Sequence, residues 1–289
     1  MESVARTIFV TRRIVRNALI RFRRTPLGSV LQDFHRARRL RRADAPPRKP
    51  VERVERIVVT LTSIADRAGT IAPALRSLLD QTIPADRVIL AWPTHSLRTG
   101  LPNPELLNLP EGIEVLRCDD LGPATKLLPA LVAEPDALLI VVDDDVIYPV
   151  DFIETLISAH RLSREAAVGY RGWRLEGDRD PKDLDHVFAT ALVKPEEVDI
   201  LFGTWGYLIP PGALDEAVQQ FSGWPAELRW VDDVWVSGHL ARRGVPRLVV
   251  PAKRLPLETA ASAIGALTDG LNRSGSNDRI AIKAFAPWR

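Results

Sequence analysis

Cysteine is nearly absent from this chain: Cys118 stands alone among 289 residues. That excludes an intramolecular disulfide framework and any zinc site built on cysteines, and it suits a reducing compartment. Lysine is scarce as well, and Lys126 is one of only six in a chain dominated by arginine. No apolar run approaches the roughly 20 residues that a bilayer-spanning helix needs. Arginines interrupt the apolar stretch at the N-terminus, so it does not read as a secretory signal peptide. There is no internal repeat, and no low-complexity segment beyond the N-terminal arm. The location expected from these absences is cytoplasmic. What remains, 46% hydrophobic and 26% charged residues, is ordinary for a globular chain long enough for one large α/β domain or two modest ones.

The net charge of +2 conceals an asymmetry. Residues 1–50 hold fourteen Lys or Arg and three acids, so the remainder is acidic. Before Pro26, Val4, Ile8, Val15, Ala18, Leu19 and Phe22 share one helical face, with most arginines outside it. Thr11 falls in this stripe, and Phe9, Val10, Ile14 and Ile20 fall elsewhere. A basic amphipathic helix of this kind suits an anionic membrane surface, reached through residues 1–42, with the protein peripheral on the inner face. The alternative is a helix packed on its own domain or on a partner. No nucleic-acid partner is expected, because the arm has few aromatics for stacking. Pro26 interrupts the first helix, and Ala45-Pro46-Pro47 with Pro50 forms a stiff linker. The division expected is an arm and linker over 1–50 and one domain over 51–289.

From Arg56 onward the pattern alternates. Strands are expected over Arg56–Ser63, Arg87–Trp92, Gly112–Arg117 and Ala137–Val142, with helices over Gly69–Asp80 and Asp151–Leu162 and a turn plus short helix over Leu121–Val132. This order implies a mostly parallel sheet with right-handed crossovers and flanking helices. The apolar run Ala137–Val142 ends abruptly in Asp143, Asp144 and Asp145. Three adjacent carboxylates repel one another unless a cation or hydrogen-bond donors relieve them. In open α/β sheets, ligands bind at the C-terminal ends of strands. A hard divalent ion, Mn²⁺ or Mg²⁺, takes oxygen ligands and bridges carboxylate to substrate phosphate. The bland alternative is a solvated acidic turn.

The second half is different in texture. Six of the seven tryptophans follow the acidic triad, and glycines punctuate it. Flat rings beside polar groups suit sugars, although any single tryptophan is better explained as core.

Five segments in order now carry a resemblance: V-V-T-L-T-S-I-A-D-R (58–67), S-L-L-D-Q-T-I-P-A-D-R-V-I-L (77–90), G-P-A-T-K-L-L-P-A-L (122–131), V-V-D-D-D-V-I-Y-P (141–149) and W-V-D-D-V-W-V-S-G-H-L (230–240). Together, over about Val51–Val250, they resemble the GT-A-fold glycosyltransferases, most of all bacterial polysaccharide-assembly members related to the family 2 transferases. The resemblance implies a Rossmann-like, mostly parallel sheet with a nucleotide-sugar half over 51–149 and an acceptor half over 150–289.

It also implies roles for residues. Thr62, Ser63 and Arg67 follow the first strand, where the family holds base and ribose; capping of the next helix is the other use for Thr62 and Ser63. Asp143 would bind ribose or a metal-bound water, Asp145 would ligate Mn²⁺ or Mg²⁺ directly, and Asp144 would share either role. Lys126 would contact the nucleotide or diphosphate; the alternative is a solvated charge. Asp232 and Asp233 match the family's acidic pair at a helix start, with Asp233 as the base and Asp232 supporting it; helix capping is the alternative. Gly203, Trp205 and Gly206, with Arg171 and Trp173, would face the acceptor. His239 would be structural or, in the less favoured reading, a metal ligand. The polar stretch Asn272–Arg279 is either a lid over the diphosphate or disordered.

The activity implied is metal-dependent transfer of a sugar from a nucleoside-diphosphate donor, expected to be a UDP-sugar, to a glycan or lipid-linked acceptor. Inversion is the favoured stereochemistry, although a carboxylate near Asp233 serves both classes. Two other readings stay open: a degenerate domain acting as a membrane-recruited adaptor, and a metal-dependent nucleotidyltransferase. The loop S-I-A-D-R-A-G has a single glycine, which argues against the second.

Overall fold

The structure is a computed structural model and describes residues 27–42, 53–106, 108–176, 184–265 and 275–288. The stripe over residues 4–22 and the linker over 43–50 lie outside the described residues. Among those described, no helix is long and apolar enough to cross a membrane.

The first described element is a helix, α1 (Leu27–Leu40). The strands that follow are β1 (Ile57–Thr62), β2 (Arg87–Pro93), β3 (Ile113–Cys118) and β4 (Leu138–Val141). Helix α2 (Ala72–Leu79) joins β1 to β2, and α3 (Leu128–Ala133) precedes β4. β5 (Val146–Ile147) and helix α4 (Phe152–Leu162) come after the acidic triad. Then come β6 (Ala167–Gly169), β7 (Arg171–Arg174), β8 (Asp185–Phe188), β9 (Glu196–Glu197), β10 (Ile200–Leu201) and β11 (Tyr207–Ile209). Helix α5 (Asp232–Arg242), β12 (Arg247–Val249), β13 (Leu257–Glu258) and helix α6 (Ser276–Phe285) complete the set.

The main sheet has eight strands in the order β3-β2-β1-β4-β11-β6-β12-β9. The neighbours β3, β2, β1 and β4 are parallel, as are β6 and β12, while β11 runs antiparallel to both β4 and β6. The expected α/β fold with a mostly parallel sheet and flanking helices is therefore present. The expected strand and helix positions also agree within a few residues. β10-β7-β8 form a small antiparallel sheet and β13 pairs with β5.

Burial explains the order. β4 and all but the last residue of β1 are buried, as two-faced burial of parallel strands requires. β3 is an edge strand with an alternating, partly exposed pattern. Helix α4 buries Phe152, Ile153, Leu156, Ile157 and His160, one face at helical spacing. The chain leaves β1 toward β2 and β3, then returns to place β4 on β1's other side. That reversal makes the C-terminal ends of β1 and β4 a topological switch point, where a crevice opens.

Part of the segment expected as an arm is docked on the domain. Ala37 and Leu40 of α1 are buried with Ile147, and Leu257 packs against them. Arg36 donates to Asp80 Oδ2 at 2.9 Å, to the Asp80 carbonyl at 2.8 Å and to the Tyr148 carbonyl at 2.5 Å. Arg39 adds a 2.6 Å pair with Asp80. These two arginines thus serve the docking of the helix.

The C-terminal stretch also differs from a disordered tail. From Ser276 it is helical, and Phe285 is buried against Trp224, Trp235 and His239. Only residues 272–274 of the polar stretch lie outside the described residues. A tail that looks polar by composition is held by Phe285 and Ala281, with Trp288 packed beside them.

Candidate active site

The triad lies just beyond β4, beside the end of β1. Its three carboxylates face different partners. Ser63 Oγ donates to Asp144 Oδ2. Arg67 Nη1 lies 2.6 Å from Asp144 Oδ1 and 3.4 Å from Asp145 Oδ2. Asp143 Oδ1 lies 3.4 Å from Lys126 Nζ. The repulsion inherent in three adjacent acids is thus relieved by two cations and a hydroxyl, so the solvated-turn alternative does not describe Asp144, which is 5% exposed. Ser63 does not cap the next helical turn, whose N-cap position is Ile64 and has no side-chain bond. Thr62 turns elsewhere: its hydroxyl donates to the Ala91 carbonyl on β2 at 2.8 Å.

Lys126 is the hinge between the two halves of the site. It is 8% exposed and closes the short helical segment Gly122–Lys126, whose position is fixed by a 2.8 Å hydrogen bond from Thr60 Oγ1 to the Lys126 carbonyl. Its ammonium reaches Asp232 Oδ2 at 2.9 Å as well as Asp143. Burial opposes the charged ammonium, but Asp232, Asp143 and Asp233 outweigh it and hold the pKa well above the ordinary lysine value. This buried group is therefore not a solvated charge.

Asp232 and Asp233 open α5, whose N-cap is Val231. Both lie in the first turn, where the helix dipole favours carboxylates. Their bonds are tertiary: Asp232 pairs with Lys126, and Asp233 Oδ1 accepts the Gly203 N–H at 2.6 Å. Burial first, and then the neighbouring Asp232, push the Asp233 carboxyl up to about 8, against the opposing pull of Lys126 and the Gly203 amide. Burial likewise raises the Asp143 carboxyl. Carboxyls raised beside a lysine that holds its charge are a feature of proton-transfer sites.

Gly203 leaves the space that the end of Lys126 fills. A Cβ there would overlap Lys126 Nζ and lie 3.0 Å from Asp233 Oδ1. The turn that follows is strained: Trp205 has φ of 74° and Gly206 of 87°. A tryptophan in the left-handed region is uncommon and is held by its surroundings. Its ring centroid is 5.9 Å from that of Phe188. Arg171 places its guanidinium 5.1 Å from the Phe202 ring and 5.8 Å from the Trp205 ring. Trp173 stands edge-on to Phe202 at 4.6 Å. Arg171, Trp173 and Trp205 thus form one cluster, and Phe202 joins it to Gly203. Trp173 itself is 9% exposed, closer to core than to a surface platform.

Three residues outside the sequence-based set take part. The Asp143 N–H donates to Tyr148 Oη at 2.7 Å. Thr259 holds the Asp145 carbonyl through its amide at 2.8 Å and its hydroxyl at 2.9 Å. Tyr207 buries a hydroxyl without a hydrogen-bond partner near Lys126, Asp232 and Asp233. Tyr148 was visible as the tyrosine closing V-V-D-D-D-V-I-Y; Thr259 had no signal. His239 is buried among Trp224, Trp235 and Phe285, and desolvation first, then Arg242, lower it to about 4. It is a structural residue.

A divalent cation is implied by the resemblance. Among the described residues, no three His, Cys, Asp or Glu side chains assemble as a complete ligand set. The donors that exist are hard oxygens on partly exposed Asp143 and Asp145, and Arg67 already sets a positive charge on Asp144 and Asp145. This fits an ion of the Mg²⁺ or Mn²⁺ kind, which takes one or two carboxylates and completes its shell with substrate phosphates and water.

No family profile matches the chain, and no curated protein matches it. Solved structures do. One is the mannosyltransferase PcManGT from Pyrobaculum calidifontis in complex with GDP-Man and Mn²⁺, at 16% identity and a TM-score of 0.45, covering 84% of this chain and 66% of that one. Another is GalNAc-T7 with UDP, GalNAc and Mn²⁺, at 13% identity and a TM-score of 0.45, covering 68% of this chain and 41% of that one. The chain therefore spans less than two thirds of the length of either.

Proposed function

We propose that this protein is a GT-A-type glycosyltransferase that moves a sugar from a nucleoside-diphosphate donor, a UDP-sugar first among candidates, to a hydroxyl of a glycan or lipid-linked acceptor. The observation that carries this reading is the Asp143–Lys126–Asp232 chain. It joins the acids at the sheet switch point, where a donor would bind, to the acid pair on α5, where an acceptor would be deprotonated.

Each residue then has a task. Ser63 and Arg67 position Asp144, and Arg67 spreads positive charge toward Asp145. Asp145, with Asp143, would hold a divalent ion. When bound, that ion neutralises the diphosphate and so stabilises it as a leaving group. Asp233 accepts the proton of the acceptor hydroxyl as its oxygen bonds to the anomeric carbon; the bond to the diphosphate oxygen breaks with its electron pair. One displacement of this kind inverts the anomeric centre. A carboxyl near 8 is a strong base in its ionised fraction, close to the working pH. Lys126 places its positive charge between Asp232 and Asp143 beside it. Arg171, Trp205 and the Gly203 turn would line the acceptor side.

The test is release of nucleoside diphosphate from a panel of UDP- and GDP-sugars with Mn²⁺, for the wild type, Asp145→Ala and Asp233→Asn. The proposal expects turnover lost in both variants, with donor binding kept in Asp233→Asn. Donor binding without turnover in the wild type, with the acceptor classes supplied, would favour the adaptor reading instead.

A further inference from the structure

Helix α1 has two faces with opposite chemistry. Asp33, Arg36, Ala37 and Leu40 point into the domain. At 100° per residue, Leu31, Phe34, His35 and Arg38 fall in the opposite arc, about 100° wide, and Arg41 and Arg42 follow in the turn just past the helix end. All six are exposed, Leu31 by 61% and Phe34 by 55%. The outer face thus begins with two large apolar side chains one turn apart and ends with three arginines. Asp33, the single acid between residues 27 and 42, is 5% exposed and lies 3.4 Å from Arg254.

We propose that this outer face is a docking surface for an anionic lipid bilayer. Leu31 and Phe34 would enter the boundary between headgroups and acyl chains, and Arg38, Arg41 and Arg42 would lie over lipid phosphates. Charge complementarity selects an anionic partner, since the face carries no acid. The paired apolar side chains select lipid over nucleic acid, whose phosphate backbone offers no apolar layer to bury them. The surface is also linked to the candidate site by hydrogen bonds. Arg36 holds the Tyr148 carbonyl from the inner face of α1, and the same Tyr148 accepts the Asp143 N–H through its hydroxyl. A bilayer seated on α1 would therefore present the triad in one orientation, which a flexible tether would not do. This inference rests on the exposed face alone and stands apart from the reading of the reaction.

The experiment is flotation of the full chain with phosphatidylcholine vesicles, with and without about one-third phosphatidylglycerol. Two variants are compared with the wild type: Leu31→Ser with Phe34→Ser, and Arg38→Ser with Arg41→Ser and Arg42→Ser. Wild-type protein is expected to float with the anionic vesicles only, and less so as salt is raised. Each variant should lose at least about tenfold in partition while its melting temperature stays within a few degrees, because the altered side chains are exposed. Flotation of both variants at the wild-type level would overturn the proposal, as would failure of the wild type to float. Salt-sensitive binding to duplex RNA that survives Leu31→Ser with Phe34→Ser, without any flotation, would assign the face to nucleic acid instead.

Discussion

Asp233 Oδ1 accepts the backbone N–H of Gly203 at 2.6 Å, and the same glycine leaves the space that Lys126 Nζ fills. One residue without a side chain therefore sets both the candidate base and the cation between the two acid clusters. Gly203→Ala should still fold, because the overlapping atom ends a flexible side chain. It should displace the ammonium and lower kcat by about a hundredfold, as small misplacements at reacting centres do. Steady-state kinetics beside a circular-dichroism melt would check both halves of this expectation.

The Asp233 carboxyl, raised to about 8, gives a signed pH dependence. Turnover should rise with pH through about 8 and level off above it, as the base form fills. Stability should move the other way. Between about pH 4 and pH 8 the unfolded chain has released this proton while the folded chain keeps it, so stability falls as pH rises across that window. Asp233→Asn removes that penalty and should be more stable than the wild type at pH 8 by about 1–3 kcal/mol, with kcat lower by about 10²–10⁴. Denaturant melts at pH 5 and pH 8 provide the comparison; equal slopes for both proteins would argue against a raised carboxyl.

Removing Lys126 leaves Asp143, Asp232 and Asp233 without their shared cation. Breaking a buried pair costs about 3–5 kcal/mol, so Lys126→Met should melt well below the wild type. Because the cost is the uncompensated acids, adding Asp232→Asn should recover part of it. A double-mutant cycle measures this directly.

Arg67 neutralises Asp144 and Asp145 and also donates to the Ile264 carbonyl at 2.7 Å. Arg67→Gln should be destabilised by about 1–3 kcal/mol. Mn²⁺ added without nucleotide should raise its melting temperature more than that of the wild type, since the ion replaces a lost positive charge. An equal response in the two proteins would mean that Arg67 and the ion do not share a place.

The sheet was legible because its first four strands are short apolar runs bounded by turn residues, and because triad and lysine sit at ends of those elements. The α4 face was legible from its period. The second half was not, because β8, β10 and β11 hold only two to four residues and carry no usable period. The docking of α1 was also hidden. It depends on Arg36 reaching Asp80 and Tyr148, contacts that span 44 and 112 residues of sequence. Thr62 had the right position for a ligand contact, yet its hydroxyl is turned to β2, a choice of rotamer that sequence spacing does not contain.

The central claim is that the acids at the end of β4 form a donor site for a nucleoside diphosphate held with a divalent ion. Calorimetric titration of UDP, and then GDP, into the wild type and Asp145→Ala, each with and without Mn²⁺, tests it most directly. The account predicts binding that needs Mn²⁺ and disappears in Asp145→Ala, with the melting temperature of the variant little changed. If no nucleoside diphosphate binds the wild type under any metal condition, the account is contradicted.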